Sequence, residues 1–153
     1  MTEWILLINR ILSQSKREPH VKRLVKLVAA LTVSCDDAFV EFTINYLLKM
    51  HNAQAWGTRY GACQLVALIL KDLGEDATLG DDMWNNVYEV MMVRLQDRSP
   101  QVRPQAVAAL ARLQDPRDPD DEVTTRYIEM LEYEPSADVR KSIIKNLAIT
   151  KRS

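Results

Sequence analysis

The feature that most constrains this chain is that it repeats itself. Ser99-Pro-Gln-Val-Arg-Pro-Gln-Ala-Val-Ala-Ala-Leu110 falls on Pro135-Ser-Ala-Asp-Val-Arg-Lys-Ser-Ile-Ile-Lys-Asn-Leu147 when Arg103 is laid on Arg140. Both segments place a basic residue after Val, then apolar residues three, four and seven positions on: Ala106, Val107 and Leu110, then Ile143, Ile144 and Leu147. A weaker copy puts Arg59 in the same slot, followed by Ala62, Cys63 and Val66, and the weakest puts Lys22 there, followed by Val25 and Ala29. Positions 22, 59, 103 and 140 are separated by 37, 44 and 37 residues. A unit of that size cannot bury its own apolar face, so such a chain folds by stacking unit on unit.

Between these segments lie further amphipathic stretches. Phe39, Val40, Thr43, Ile44, Leu47 and Leu48 recur at three- and four-residue steps across Asp36 to Met50, the one-sided stripe of a packed helix. Asp82 to Leu95 does the same with Trp84, Val87, Tyr88, Met91, Met92 and Leu95; Val123 to Leu131 does so with Tyr127, Ile128 and Leu131; and Glu3 to Leu12 supplies the first such helix. Each unit therefore reads as helix A, a turn and helix B. The expected architecture is all-α, an α-α superhelix of the HEAT/ARM type with about four helical pairs, in one solenoid over 1–153 with repeats near 1–33, 36–73, 82–113 and 120–150. Asp36, Asp82 and Asp121 stand where a carboxylate satisfies free N–H groups at a helix start, and Ser99-Pro100 supplies a cap and a first-turn proline. Pro104 would clash in a helix begun at Pro100, which predicts a kink or a later start, and Gly57 and Gly61 weaken the start of the second helix B. Gln114 to Glu122, with two prolines and five acids, reads as a solvated connector.

Composition agrees and narrows the function classes. In 153 residues, 47% hydrophobic, only four glycines and two phenylalanines are few for a sandwich or barrel. The net charge of −1 makes the whole chain no trap for nucleic acid, but residues 1–72 carry nine basic and six acidic side chains, and residues 73–153 carry eleven and fifteen. Cys35, Cys63, His20 and His51 match no zinc spacing, and the absence of a disulfide framework or leader points to a reducing intracellular compartment. The longest apolar runs fall far short of the ~20 residues of a membrane span. No Gly-rich phosphate loop is present. Cys63, set in Ala-Cys-Gln-Leu-Val, reads as core packing and not as a nucleophile paired with His51. The acids from Asp118 to Glu122 lack the alternating spacing and central glycine of a calcium loop. No cofactor, metal, membrane or small-molecule substrate is expected.

The informative charges are cations. Lys16, Arg17, Lys22, Arg23 and Lys26 are opposed only by Glu18; Lys22 and Lys26 share a helical face, with Arg23 beside them. Such a cluster either tracks phosphates without regard to sequence or is an ordinary solvated helix face. Arg59, Arg103 and Arg140 have two readings as well: a ladder paired with acids of neighbouring turns, such as Asp97 or Asp138, or a row of cations along a groove. Arg94 and Arg98 complement the negative end of a helix A, and Trp4, Trp56 and Trp84 read as packing anchors.

The run Met92-Val-Arg-Leu-Gln-Asp-Arg-Ser-Pro-Gln-Val-Arg-Pro-Gln-Ala-Val-Ala-Ala-Leu-Ala-Arg-Leu-Gln-Asp-Pro116 resembles the signature stretch of the G-type HEAT subunits of condensin. Lys16-Arg-Glu-Pro19, Leu47-Leu-Lys-Met-His51 followed by Arg59 and Cys63-Gln-Leu65, and Asp138-Val-Arg-Lys141 are similar to that family in order and spacing, so the resemblance covers nearly the whole chain. Gly61 and Pro104 depart from it. The resemblance implies a non-enzymatic subunit of a nuclear, chromosome-bound complex, which with a kleisin partner forms a basic groove around double-stranded DNA. It implies phosphate contacts at Lys16 and Arg17, in the matching turn, and at Arg59. Residue chemistry adds Lys22, Arg23 and Lys26 to those candidates. Because family members are several times longer, it also implies an N-terminal piece or a truncated paralogue, with Leu147 and Ile149 left exposed and prone to self-association. A protein-binding scaffold without DNA contact is the alternative reading.

Overall fold

The computed structural model describes residues 2–14 and 18–147, and Lys16, Arg17 and Ile149 lie outside them. The described residues form α1 (Thr2–Ser13), α2 (Pro19–Val33), α3 (Asp37–Leu48), α4 (Trp56–Asp72), α5 (Asp81–Arg94), α6 (Val102–Leu110), α7 (Glu122–Tyr133) and α8 (Ala137–Asn146). A 3-10 turn, Ala111–Leu113, follows α6, and no strand is present among these residues. The helices alternate between two rows. The even-numbered helices pack in succession, α2 on α4, α4 on α6 and α6 on α8, while α3 packs on α5 in the other row.

The capping signals hold at Asp36 and Asp121 and shift at two starts, Asp82 and Ser99-Pro100, the latter lying before α6, whose cap is Gln101. Asp36 accepts the Phe39 N–H at 2.9 Å, and Asp121 accepts both the N–H and the hydroxyl of Thr124. Asp82, expected as a cap, is the second residue of α5. Its cap is Gly80, whose own N–H is bound at 2.6 Å by the Glu41 carboxylate of α3. The tension between Pro100 and Pro104 is resolved by a later start: α6 begins at Val102, which makes Pro104 its third residue, where a helix has no use for the missing N–H. Gly57 and Gly61 do not interrupt α4, which runs through both.

The core is continuous along the stack. Ile8, Ile44, Leu47, Leu65, Ile69, Met91, Leu110, Tyr127 and Ile143 are all fully buried and belong to one cluster that runs from α1 to α8. Polar links stitch neighbouring pairs across it. The Trp4 indole donates to Thr43 at 3.1 Å, the Tyr127 hydroxyl donates to the Val107 carbonyl, and Tyr88 hydrogen-bonds Glu122. The Arg112 guanidinium donates to the carbonyls of Leu70, Leu73 and Gly74, satisfying the free end of α4, and lies over the Trp84 ring.

Three apolar expectations fail at exposed positions. Ile128 and Ile144 are 55% and 65% exposed, because the α7–α8 pair packs on one neighbouring pair only among the described residues. Trp56 is 49% exposed and meets Tyr60 edge to face, so it anchors no core. Leu147 is half-buried.

Candidate nucleic-acid interface and the arginine ladder

Arg59, Arg103 and Arg140 occupy the same position in three successive B helices and make the same bond. Each turns its Nη1 back to the turn that precedes its own helix. Arg59 donates to the carbonyls of Ala53 and Gln54, both at 2.8 Å; Arg103 donates to those of Asp97 and Arg98; Arg140 donates to that of Glu134 at 2.7 Å. In Arg59 and Arg103 the rest of the guanidinium faces the next repeat. Arg59 grips Asp97 with Nε at 2.8 Å and Nη2 at 3.1 Å, and Arg103 reaches Glu134 with Nε and Nη2. The fixed fork of arginine suits this double duty, since one edge closes a turn and the other binds a carboxylate two-handed. The second acid is Glu134, not Asp138, which is exposed on α8.

The Asp97 rung is the most enclosed. Arg59 and Asp97 are 6% and 5% exposed. Asp97 also accepts from Arg94 Nη1 at 2.8 Å and from the Ser99 N–H at 2.9 Å, so Arg94, at the end of α5, is tied to a side chain as well as placed near the helix end. Burial pushes the Asp97 carboxyl up, but the hydrogen bonds from Arg59 and Ser99 and the charges of Arg59 and Arg94 outweigh it, and the group sits below its ordinary range. Beside it, burial and then the Arg94 charge lower His51, whose Nδ1 is buried without a partner. Cys63 is fully buried and its thiol is pushed up to about 12, chiefly by desolvation, which leaves no thiolate for nucleophilic chemistry.

These directions give a pH dependence of defined sign. A histidine lowered on folding binds its proton more readily unfolded, so stability is complete above its ordinary 6.5 and declines as pH falls through that value. Asp97, lowered as well, contributes stability that is lost only at more acid pH. Thermal melts between pH 8 and pH 4 are expected to show a first decline below about pH 6.5, absent in His51→Gln. An unchanged decline in that variant would contradict the assignment.

The first B helix lacks the ladder. Repeat register puts Lys22 in the slot held by Arg59, Arg103 and Arg140, but lysine has no fork and the matching partner position, occupied by Asp97 and Glu134 in later turns, is Ala53. Lys22, Arg23 and Lys26 are all exposed on α2 and make no ion pair with a described residue. The structure thus groups Lys22, Arg23 and Lys26 at exposed positions of one helix, whose other side is buried, and separates Arg59 from them, inside the stack. Sequence reasoning missed Glu134 and the capping role of Arg112.

Helix pairs stacked in two rows and tied repeat to repeat by a laddered arginine define a HEAT-repeat solenoid. No family model matches the chain. Condensin complex subunit 3 of Xenopus laevis is 34% identical over all of this chain, and that of Homo sapiens is 30% identical over 95% of it, in each case across 16% of the relative's length. A chain in the crystal structure of the S. pombe condensin Cnd3–Cnd2 subcomplex superposes with a TM-score of 0.84 at 26% identity, over 98% of this chain and 20% of that one. The chain belongs to the condensin subunit 3 family, and it spans about one-sixth of the length of these curated relatives.

Proposed function

We propose that this chain serves as a segment of a non-catalytic condensin subunit that, beside a kleisin partner, contributes sequence-independent contacts to duplex DNA during mitotic chromosome condensation in the nucleus. The observation that carries the reading is the group Lys22, Arg23 and Lys26, three exposed cations on α2 with no ion pair among the described residues. They lie a few residues beyond Lys16 and Arg17 in the sequence, which we include among the candidate phosphate contacts. Arg59 stands in a different position: four of its five N–H donors are spent on a buried carboxylate and two carbonyls, so its contribution to DNA binding is to hold the repeat, not to meet a phosphate.

Contacts of this kind act through the charge of the backbone. Each neutralised phosphate releases condensed counterions, which gives affinity that is blind to sequence and falls with salt. The mechanism is therefore clamping and involves no turnover. Two fluorescent duplexes of unrelated sequence are expected to bind the chain, with a condensin kleisin segment added, at dissociation constants equal within about threefold, since phosphate contacts carry no base discrimination. Binding of the kleisin segment without either duplex would leave a protein-binding scaffold, the reading that the acidic surplus of residues 73–153 favours.

A further inference from the structure

The open side of the B-helix row carries a second surface, which no α2 residue lines. A cavity of about 780 Å³ lies across α4, α6 and α8. Its floor is made of small and apolar groups, among them Ala67, Leu68, Ala108 and Ala111, so nothing fills the space between the flanking helices. Its rims are cationic. Lys71 stands on α4, and Lys141 and Lys145, four residues apart on one face of α8, stand opposite. All three are exposed and unpaired among the described residues, whereas Arg112, also at the rim, is engaged with the end of α4.

We infer that this groove docks an acidic, partly apolar segment of a partner polypeptide, its apolar side chains on the alanine floor and its carboxylates between Lys71 and the Lys141–Lys145 pair. The chemistry selects that occupant. A volume of this size takes a few side chains, and an apolar floor with a few placed charges is the composition of a peptide or ligand site. A duplex would gain nothing from the alanines and leucines, whereas a peptide can set apolar side chains on them; Glu75 and Asp138 share the lining, so the peptide's carboxylates are confined to Lys71 and the Lys141–Lys145 pair. No α2 residue lines the groove, so the inference stands or falls apart from duplex binding at Lys22, Arg23 and Lys26.

A phage-displayed library of random dodecapeptides, panned on the purified chain, supplies the probe. The selected peptides are expected to be enriched in Asp and Glu alternating with large apolar residues. Fluorescence anisotropy should then show their affinity reduced on the order of tenfold by Lys141→Glu with Lys145→Glu. Ala108→Phe, which fills the floor without changing charge, should reduce it comparably, while Lys22→Gln should not. Circular dichroism melts confirm that the variants fold. Peptides without acidic enrichment, or bound equally by both groove variants, would overturn the inference. So would loss of duplex affinity, in place of peptide affinity, in the Lys141 and Lys145 variant, which would make the groove a nucleic-acid contact.

Discussion

Asp97→Ala is expected to lower the unfolding free energy by about 3–5 kcal/mol, the range for removing one partner of a buried ion pair. The size follows from what is left behind. Arg59 stays charged at any working pH, and in the variant it keeps only the Ala53 and Gln54 carbonyls while its other edge, in a side chain 7% exposed, has lost its carboxylate. Arg94 loses its partner and the Ser99 N–H its acceptor in the same step. Removing both members of the pair is a different matter: Arg59→Met together with Asp97→Leu should cost far less than the two single changes summed, since Arg59 is no longer stranded and only Arg94, the more exposed of the two cations, is left without its acid. Urea unfolding followed by circular dichroism reads both. A loss below about 1 kcal/mol for Asp97→Ala, the range of a solvent-exposed pair, would show that the rung is not buried in solution.

Leu65→Ala is the second large effect, about 2–5 kcal/mol from lost burial and the cavity it leaves. Leu65 is fully buried on α4, the helix that packs against α1, α2, α3 and α6, so no loop or terminus is at hand to collapse into the space. In a solenoid each repeat is stabilised by its neighbours, and damage at a central interface uncouples both sides. Hydrogen exchange should therefore lose protection from α2 to α6 together. Loss confined to α4 would contradict the continuous core.

Much of this fold is legible in the sequence because a repeat states its lesson more than once. The Val-Arg step of α6 and α8 recurs with the same apolar spacing, and the stripe of α3 falls on buried residues at Val40, Thr43, Ile44, Leu47 and Leu48. What was less legible depends on neighbours. The stripe of α7 predicts Ile128 as well as Tyr127, but periodicity reports a face, not whether a second layer covers all of it. Trp56 looks like an anchor from its size, yet its place in the first turn of α4 leaves it half outside.

The candidate site shows the same division. The cations of α2 are readable as a cluster, and their exposure follows from helical spacing. The fate of Arg59 is not readable from its charge, since an arginine offered to a phosphate and one held by an acid look alike in one segment. The deciding signal lies in another repeat. Asp97 stands six residues before Arg103, and Glu134 six before Arg140, so each acid that receives a guanidinium occupies the turn position before the next arginine. Ala53 holds that position before Arg59, and with no acid there Lys22 remains free. Asp138 was the nearer acid by sequence to Arg140, but on the first turn of α8 it faces away from the ladder.

The central claim is that the unladdered cations of α2 meet the phosphates of a duplex. Its most direct measurement is the slope of log affinity against log salt for a fluorescent duplex, taken for the chain with a condensin kleisin segment and for the variant with Lys22, Arg23 and Lys26 all changed to Gln. Each lost phosphate contact removes about 0.9 from the slope, so the account predicts a slope shallower by about 2.7 in the variant, with affinity reduced equally for every sequence. An unchanged slope would contradict it.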